Sequence, residues 1–315
     1  MSFVIDSKAV QAIFTAPLPD GSFEEPTLSY LRAVGARRQL LLLAFAPKSA
    51  GTFFREAAIK VLNGQLIRLP HAQGGRDGSL YLPNVLTCYL DAAAPETIAH
   101  VHMQALPANR NFIDAFGLKP IIMIRDIADM LASFLDMLEM DPVARADGLN
   151  CQVPDNFLQW DRVRKTDFMI DIIAPWYASY FATWKSFADD APDTVCVLHY
   201  RDFCRDPVDG LWTALVHAGF VVSHKDCEKS LGEVWEDRAS HRFNKGLQGR
   251  GKSYFSPAQL ARLRRQLDYY PQLNSWLLHL LDNGGDKAIA PMQGGGMRRQ
   301  SSALPPSTMI SAPST

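Results

Sequence analysis

The sequence predicts an α/β fold, a single three-layer domain with a central parallel β-sheet flanked by helices. Three observations carry that prediction. Short apolar runs at Leu40 to Phe45, Pro120 to Ile124 and Thr194 to His199 read as buried strands. Each run is followed, after a short connection, by a segment whose apolar residues recur at helical spacing. Strand–helix alternation of this kind requires crossover connections, and these build a parallel sheet. Lys48, Arg125 and Tyr200 all fall just past strand ends, the edge of such a sheet where ligands gather.

Residues 1–39 contain Pro17, Pro19, Gly21 and Pro26 and read as an irregular lead-in with one short helix near Thr27 to Ala36. The domain proper is expected over 40–283. It opens with the strand Leu40 to Phe45, the small-residue turn Pro47 to Thr52 and a helix over Phe53 to Leu62, with Phe54, Ala57, Ala58, Val61 and Leu62 on one side. The unpaired N–H groups and the positive dipole end of that helix face the turn, which suits an anion, and Lys48 adds a full charge. An ordinary βα connection would use the same residue types. Residues 70–84, rich in Gly and Pro, read as a mobile loop. Thr97 to Met103 alternates and reads as a strand with Ile98, His100 and His102 on one face.

The second buried strand, Pro120 to Asp126, runs into a helix bearing Ile127, Met130, Leu131, Phe134, Leu135 and Leu138. Asp141 to Lys165, broken by Pro142, Gly148 and Pro154, reads as an excursion from the core. Pro175 to Phe187 is an aromatic helix with Trp176, Tyr177, Tyr180, Phe181 and Trp184. The strand Thr194 to His199, the segment Tyr200 to Arg205 and a helix from Pro207 to Ala218 follow. Residues 284–315, dominated by Gly, Pro, Ser and Ala, read as a disordered tail.

With 315 residues, 47% of them hydrophobic and 21% charged, the chain can bury one large core. Its formal net charge of −1 supplies no global attraction to nucleic acid or to an anionic membrane, so any anion site must be local. The five cysteines are odd in number and widely spaced, without a CxxC, which fits reduced thiols better than a disulfide framework or a zinc site. No basic segment precedes an apolar core near residue 1, and no apolar run is long enough to span a bilayer. The expectation is a cytoplasmic protein without a membrane span.

Two further features point to a second anion. Arg125 ends the IIMI run and Ser133 follows eight residues later, on the polar side of the helix with Asp129 and Asp136. An arginine can grip a phosphate bidentately and a serine can donate a further bond. Arg242 to Lys252, RFNKGLQGRGK, sets four cations among three glycines, a flexible basic loop able to fold over a polyanion.

Taken together and in order, these motifs resemble the PAPS-dependent sulfotransferase family over about residues 40 to 260. PKSAGTFF at Pro47 to Phe54 is similar to the family's loop for the 5′-phosphosulfate. Arg125 with Ser133 has the spacing of its 3′-phosphate pair. Tyr200-Arg201-Asp202-Phe203 ahead of Asp206-Pro207 looks like its YEDL…DP segment, and Asn244 to Gly249 resembles its RKGxxG loop. The resemblance implies a P-loop NTPase-like sulfotransferase fold, with PAPS as co-substrate, 3′,5′-ADP as product and no metal. It implies that Ser49, Ala50, Gly51 and Thr52 hold the 5′-phosphate and that Phe53 stacks on adenine. It places Tyr200, Lys245 and Gly246 in the nucleotide site as well. His102 becomes the base that takes the acceptor's proton, a task suited to a neutral imidazole. Lys48 would stabilise charge on the leaving phosphate, and Ser133 would also hydrogen-bond Lys48.

The chain departs from the family at several places. Ala50-Gly51 stands where Gly-Thr is common, Phe53 where a Trp often stacks, and His100 where a lysine is common. Asn244 replaces an arginine, for which Arg242 or Arg250 could substitute. Lys252 to Ala261 does not match the family's dimer motif, so that mode of association is not expected. The acceptor is expected to be a small-molecule hydroxyl, walled by the 71–80 loop, the 141–165 segment and the aromatic helix. His100 and His102 could instead ligate a metal, but no nearby carboxylate or cysteine completes a set. Two other readings stay open. A P-loop kinase or NTPase using ATP and magnesium would need a GK[ST] motif in the Pro47 to Thr52 turn, where Lys48 instead precedes Gly51. A non-catalytic nucleotide-binding scaffold would not need both Lys48 and His102.

Overall fold

The computed structural model describes residues 22–69, 78–90, 96–147, 151–237 and 249–277, with Ser7, Lys8 and Gln11 before them. At its centre five strands run parallel in the order β2-β3-β1-β4-β5, with β1 Leu40–Leu43, β2 Gln65–Ile67, β3 Thr97–His100, β4 Ile121–Ile124 and β5 Cys196–His199. Leu43 pairs with His100 on one side and with Ile121 on the other. The carboxyl end of β1 therefore lies between the carboxyl end of β3 and the first residue of β4, where the connections leave in opposite directions along the sheet.

Both faces of the sheet are covered, which is why the strands are apolar runs without polar alternation. Successive side chains still point to opposite sides. Leu41, Leu43, Ile98, Ile121 and Met123 join a layer with Phe54, Ala57 and Ala58 of helix α2 (Gly51–Leu62). Helices α9 (Tyr200–Arg205), α10 (Pro207–His217) and α11 (His224–Glu236) complete that layer through Phe203, Leu211, Leu215, Cys227 and Val234. Leu40, Leu42, Ala99, Ile122 and Ile124 face the other layer. That layer is built from α1 (Glu25–Gly35), α3 (Leu82–Leu90), α4 (Pro107–Phe116), α5 (Ile127–Met140) and α8 (Ala174–Asp190). Each fully buried Leu, Ile or Phe in these layers contributes about 1.5–3 kcal/mol relative to exposure. Helix α1 buries Leu31 and Val34 in the same core as β1.

The structure differs from the sequence reading in informative places. β1 and β3 end earlier than the strands expected over 40–45 and 97–103. Residues 44–46 and 101–106 leave the ladder while Val101 N still donates to Leu43 O, so the chain splays toward the site. The segment over 141–165 is anchored: Val153 and Phe157 are buried in the core, and helices α6 (Pro142–Asp147) and α7 (Arg162–Phe168) lie within or begin in it. Within 70–84, α3 begins at Leu82, and Leu80 and Leu82 are buried; residues 71–77 and the tail at 284–315 lie outside the described residues.

Pro175 marks the start of the aromatic helix in sequence, yet the chain is helical from Arg162 to Asp190. A π turn over Met169–Ile173 makes this possible. Ala174 N–H bonds Met169 O across five residues. Pro175 has no N–H to continue that register, and Gln266 Nε2 donates instead to Ile170 O at 2.9 Å. Gln266 belongs to α13 (Pro257–Leu267), which follows the one-turn helix α12 (Gly251–Tyr254). Among the described residues no helix is long and apolar enough to cross a membrane.

Candidate functional site

The turn between β1 and α2 holds two non-glycine residues in the left-handed region, Lys48 at φ 66° and Ala50 at φ 71°. Such conformations cost about 1–3 kcal/mol each and persist only where the surroundings enforce them. Here the enforcement comes from side chains that take five consecutive carbonyls. Tyr180 OH donates to Ala44 O. His102 Nδ1 lies 2.6 Å from Phe45 O, Ser49 Oγ donates to Ala46 O at 2.6 Å, and Tyr177 OH donates to Pro47 O at 3.0 Å. Arg125 Nη1 donates to Lys48 O at 2.5 Å. Helix α2 then starts on Ala50 with no side-chain cap, whereas α5, α10, α11 and α13 start on Asp126, Asp206, Ser223 and Ser256, each accepting from its own first turn. An uncapped helix N-terminus beneath a fixed turn is suited to an anion.

The structure brings together most of the residues singled out in the sequence. Ser49 and Gly51 are buried and Thr52 is half-buried at the head of α2. A Cβ on Gly51 would lie 2.5 Å from His100 Nε2, so the His100 ring rests on the first residue of the helix. The His100 and His102 rings stand edge to face at 5.0 Å. No group of three His, Cys, Asp or Glu able to hold a metal occurs among the described residues. Arg125 is buried, its guanidinium 4.2 Å from the centre of the Tyr200 ring. Burial pushes the Tyr200 phenol up to about 12 against the opposing pull of Arg125. Phe53 is 4% exposed and packs edge-on to Phe203 and Trp235, at 6.4 and 6.2 Å. Lys245 and Gly246, like Arg242 and Asn244, lie outside the described residues.

Ser133 sits on α5 with Asp129 and Asp136, as the spacing predicts, but Ser133 and Asp129 are buried at 3% and 4% exposed. The segment at 249–254 covers this face. Gly249 N and Gly251 N donate to the Asp129 carboxylate at 2.7 and 2.8 Å. A Cβ on Gly251 would lie 2.4 Å from Ala128 Cβ, so glycine alone permits this approach. Arg250 Nη2 donates to Asp136 at 2.5 Å, and Tyr254 OH donates to the other oxygen at 2.6 Å. Arg250, considered from the sequence as a substitute for the arginine missing at Asn244, is thus paired within the protein and its side chain is 9% exposed. Lys48 Nζ reaches the next residue of α5, donating to the Met137 thioether at 3.7 Å.

The aromatic helix has another role than the one its composition suggests. Tyr177, Tyr180 and Trp184 are fully buried, and the two tyrosine hydroxyls fasten the β1–α2 turn rather than line a pocket. Their pattern, a tyrosine pair three residues apart on an apolar helix, is the signal that was available, since a buried phenol needs a partner. Asp129, Asp136 and Tyr254 were legible as polar residues, not as partners, because they meet across more than a hundred residues of chain.

No protein-family model matches the chain, and no curated protein matches it in sequence. Among solved structures it is similar to mouse sulfotransferase SULT7A1 complexed with PAP, at 14% identity and a TM-score of 0.56, over 82% of this chain and 94% of that one. It is also similar to two structures of retinol dehydratase. The one with retinol and PAP aligns at 13% identity and TM-score 0.46, over 85% of this chain and 95% of that one. The one with androsterone and inactive cofactor PAP aligns at 15% and 0.45, over 84% and 91%. These two scores add nothing to the assignment. The likeness to the first defines the class of fold: a central parallel five-stranded sheet between helical layers, the sulfotransferase fold.

Proposed function

We propose that this protein transfers a sulfuryl group from PAPS to a hydroxyl of a small-molecule acceptor. The observation that carries the reading is the bond from Arg125 to the Lys48 carbonyl. It joins the turn suited to a 5′-phosphosulfate to the Arg125 and Ser133 pair suited to a 3′-phosphate, two anion sites that a triphosphate would not require. Ser49 to Thr52, with Phe53, Tyr200, Lys245 and Gly246, make up the remainder of the nucleotide site in this reading.

His102 acts as general base. A carbonyl oxygen only accepts, so the contact with Phe45 O puts the imidazole proton on Nδ1 and the basic lone pair on Nε2. His102 takes the acceptor's hydroxyl proton as the new O–S bond forms. Lys48 stabilises the electron pair left on the phosphate oxygen when the old S–O bond breaks. Ser133 assists by holding the 3′-phosphate and the resting Lys48. The described cysteines are all free thiols, which fits a reducing compartment such as the cytoplasm.

Titration calorimetry with 3′,5′-ADP tests the proposal. The wild type is expected to bind without magnesium, and Lys48→Ala and Arg125→Ala are expected to weaken binding by about 1–3 kcal/mol each, as for charged hydrogen bonds. Absence of wild-type affinity, or binding of ATP with magnesium in its place, would overturn it.

A further inference from the structure

Rings tie the carboxyl ends of β1 and β3 together. Phe45 meets both histidines: its carbonyl oxygen lies 2.6 Å from His102 Nδ1, and its ring stands edge to face with the His100 ring at 6.1 Å. The His100 and His102 rings cross at 86° with their centres 5.0 Å apart. The His100 ring also comes so close to Gly51 that a Cβ there would lie 2.5 Å from Nε2 and 2.6 Å from Cε1. Phe45 in turn packs edge to face on Phe54 of α2 at 5.2 Å.

His100 is 6% exposed and alternates with Ile98 on the face of β3 that looks toward α2, a layer built otherwise from Leu41, Leu43, Ile98 and Phe45. A leucine would fill such a place as well by area. A ring adds a preferred angle, because two aromatic rings in contact favour the edge-to-face arrangement seen here. That matters for His102. A single hydrogen bond tolerates a spread of angles, so the bond to Phe45 O by itself would let the ring tilt about Nδ1. The His100 ring is a second contact that opposes the tilt. In the proposed reaction Nε2 must meet the acceptor's hydroxyl, and a misplacement of about 1 Å can cost about a hundredfold in rate.

We propose that His100 is a positioning residue for the general base: its ring, backed by Gly51 at the head of α2, holds the His102 ring at one angle so that Nε2 is presented in one orientation. The inference rests on the proposed role of His102. It refers the orientation of the base to the same helix end that is proposed to carry the phosphosulfate, so both reaction partners are set from one point of the fold.

Exchange of the His102 Nδ1 proton with water tests the geometry without nucleotide or acceptor. It is read by NMR on histidine-labelled protein and assigned by its loss in His102→Ala. In His100→Leu the exchange is expected to be about tenfold faster than in wild type or more, and in His100→Phe, which keeps a ring, within about threefold of it. The Val101 N–H, which donates to Leu43 O at the same strand end, is expected to change by less than about threefold in both variants. Should His100→Leu not fold, Gly51→Ala, which pushes the His100 ring from its seat, is expected to speed the His102 exchange about tenfold as well. With PAPS as donor and 2-naphthol as acceptor, His100→Leu is expected to lower kcat about tenfold or more while KM for PAPS stays within about threefold. The exchange measurement decides alone if 2-naphthol is not turned over. Unchanged His102 exchange in His100→Leu, unchanged kcat, or His100→Phe exchanging as fast as His100→Leu would overturn the inference. Equal acceleration at Val101 would show a loosened strand end and would overturn it too, as would a wild-type proton that exchanges like that of free imidazole. Each of these leaves the PAPS reading standing while the wild type binds 3′,5′-ADP. A wild type that does not bind overturns both.

Discussion

His100 Nε2 occupies the space that a side chain on Gly51 would need, 2.5 Å from the position of its Cβ. The absence of a side chain at residue 51 is therefore what lets β3 and the N-terminus of α2 come together. Gly51→Ala is expected to destabilise the protein by about 1–3 kcal/mol, the usual cost of overpacking. Chemical denaturation checks this. The double variant with His100→Ala should recover most of the loss, and no recovery would mean that the strain lies elsewhere.

His102 Nδ1 is held by Phe45 O, a backbone group that no side-chain substitution removes. His102→Ala is expected to lower sulfuryl transfer about a hundred- to ten-thousand-fold, the range for loss of a general base. Affinity for 3′,5′-ADP should stay within error of wild type by calorimetry. Full turnover would remove His102 from the mechanism and leave the nucleotide site untouched.

Asp129 satisfies two backbone N–H groups at once. Asp129→Ala leaves both without their acceptor, and each buried, unsatisfied donor costs about 1–3 kcal/mol. The loss should be local first. Limited proteolysis is expected to cut at 249–254 in the variant under conditions where wild type is intact, and equal resistance would contradict the role.

The Asp126 carboxyl is pushed up to about 7, by burial first and by the neighbouring Asp129 carboxylate second. The folded protein therefore holds this proton more tightly than the unfolded chain, whose value is near 3.8. Its contribution to stability is full below that value and is lost as pH rises to about 7. Asp126→Asn keeps an N-cap acceptor and removes the titration. Between these limits, stability measured by denaturation should fall with pH more steeply in wild type than in Asp126→Asn, and parallel curves would refute the assignment.

Much of the framework was legible because it is local. LLLL and IIMI announce buried strands, and the helices after them keep their apolar spacing. Lys48, His102, Arg125 and Ser133 could be picked out because each lies just past a strand or at a fixed offset along a helix. What escaped depends on contacts distant in sequence. Nothing near Pro175 indicates that Gln266 will serve the carbonyl it leaves open, so the sequence predicts a helix that starts there. The short β2, exposed along Gln65 and Leu66, lacks the apolar signature of the central strands. Asp129 and Asp136 look like a solvated helix face until the 249–254 segment is laid over them. Tyr177 and Tyr180 read as a pocket wall because composition records aromatic surface and not where a hydroxyl points.

The five tethered carbonyls from Ala44 to Lys48 bear on how a chain with a net charge of −1 can favour a polyanion. Tying these peptide oxygens back into the fold fixes the shape of the turn beneath the uncapped head of α2. In the proposed site the head of α2 would act on the anion together with Lys48 and Arg125. If the proposed nucleotide binds there, the exterior is left free to vary in charge, since the hydroxyls, imidazole and guanidinium that fix the turn all lie inside.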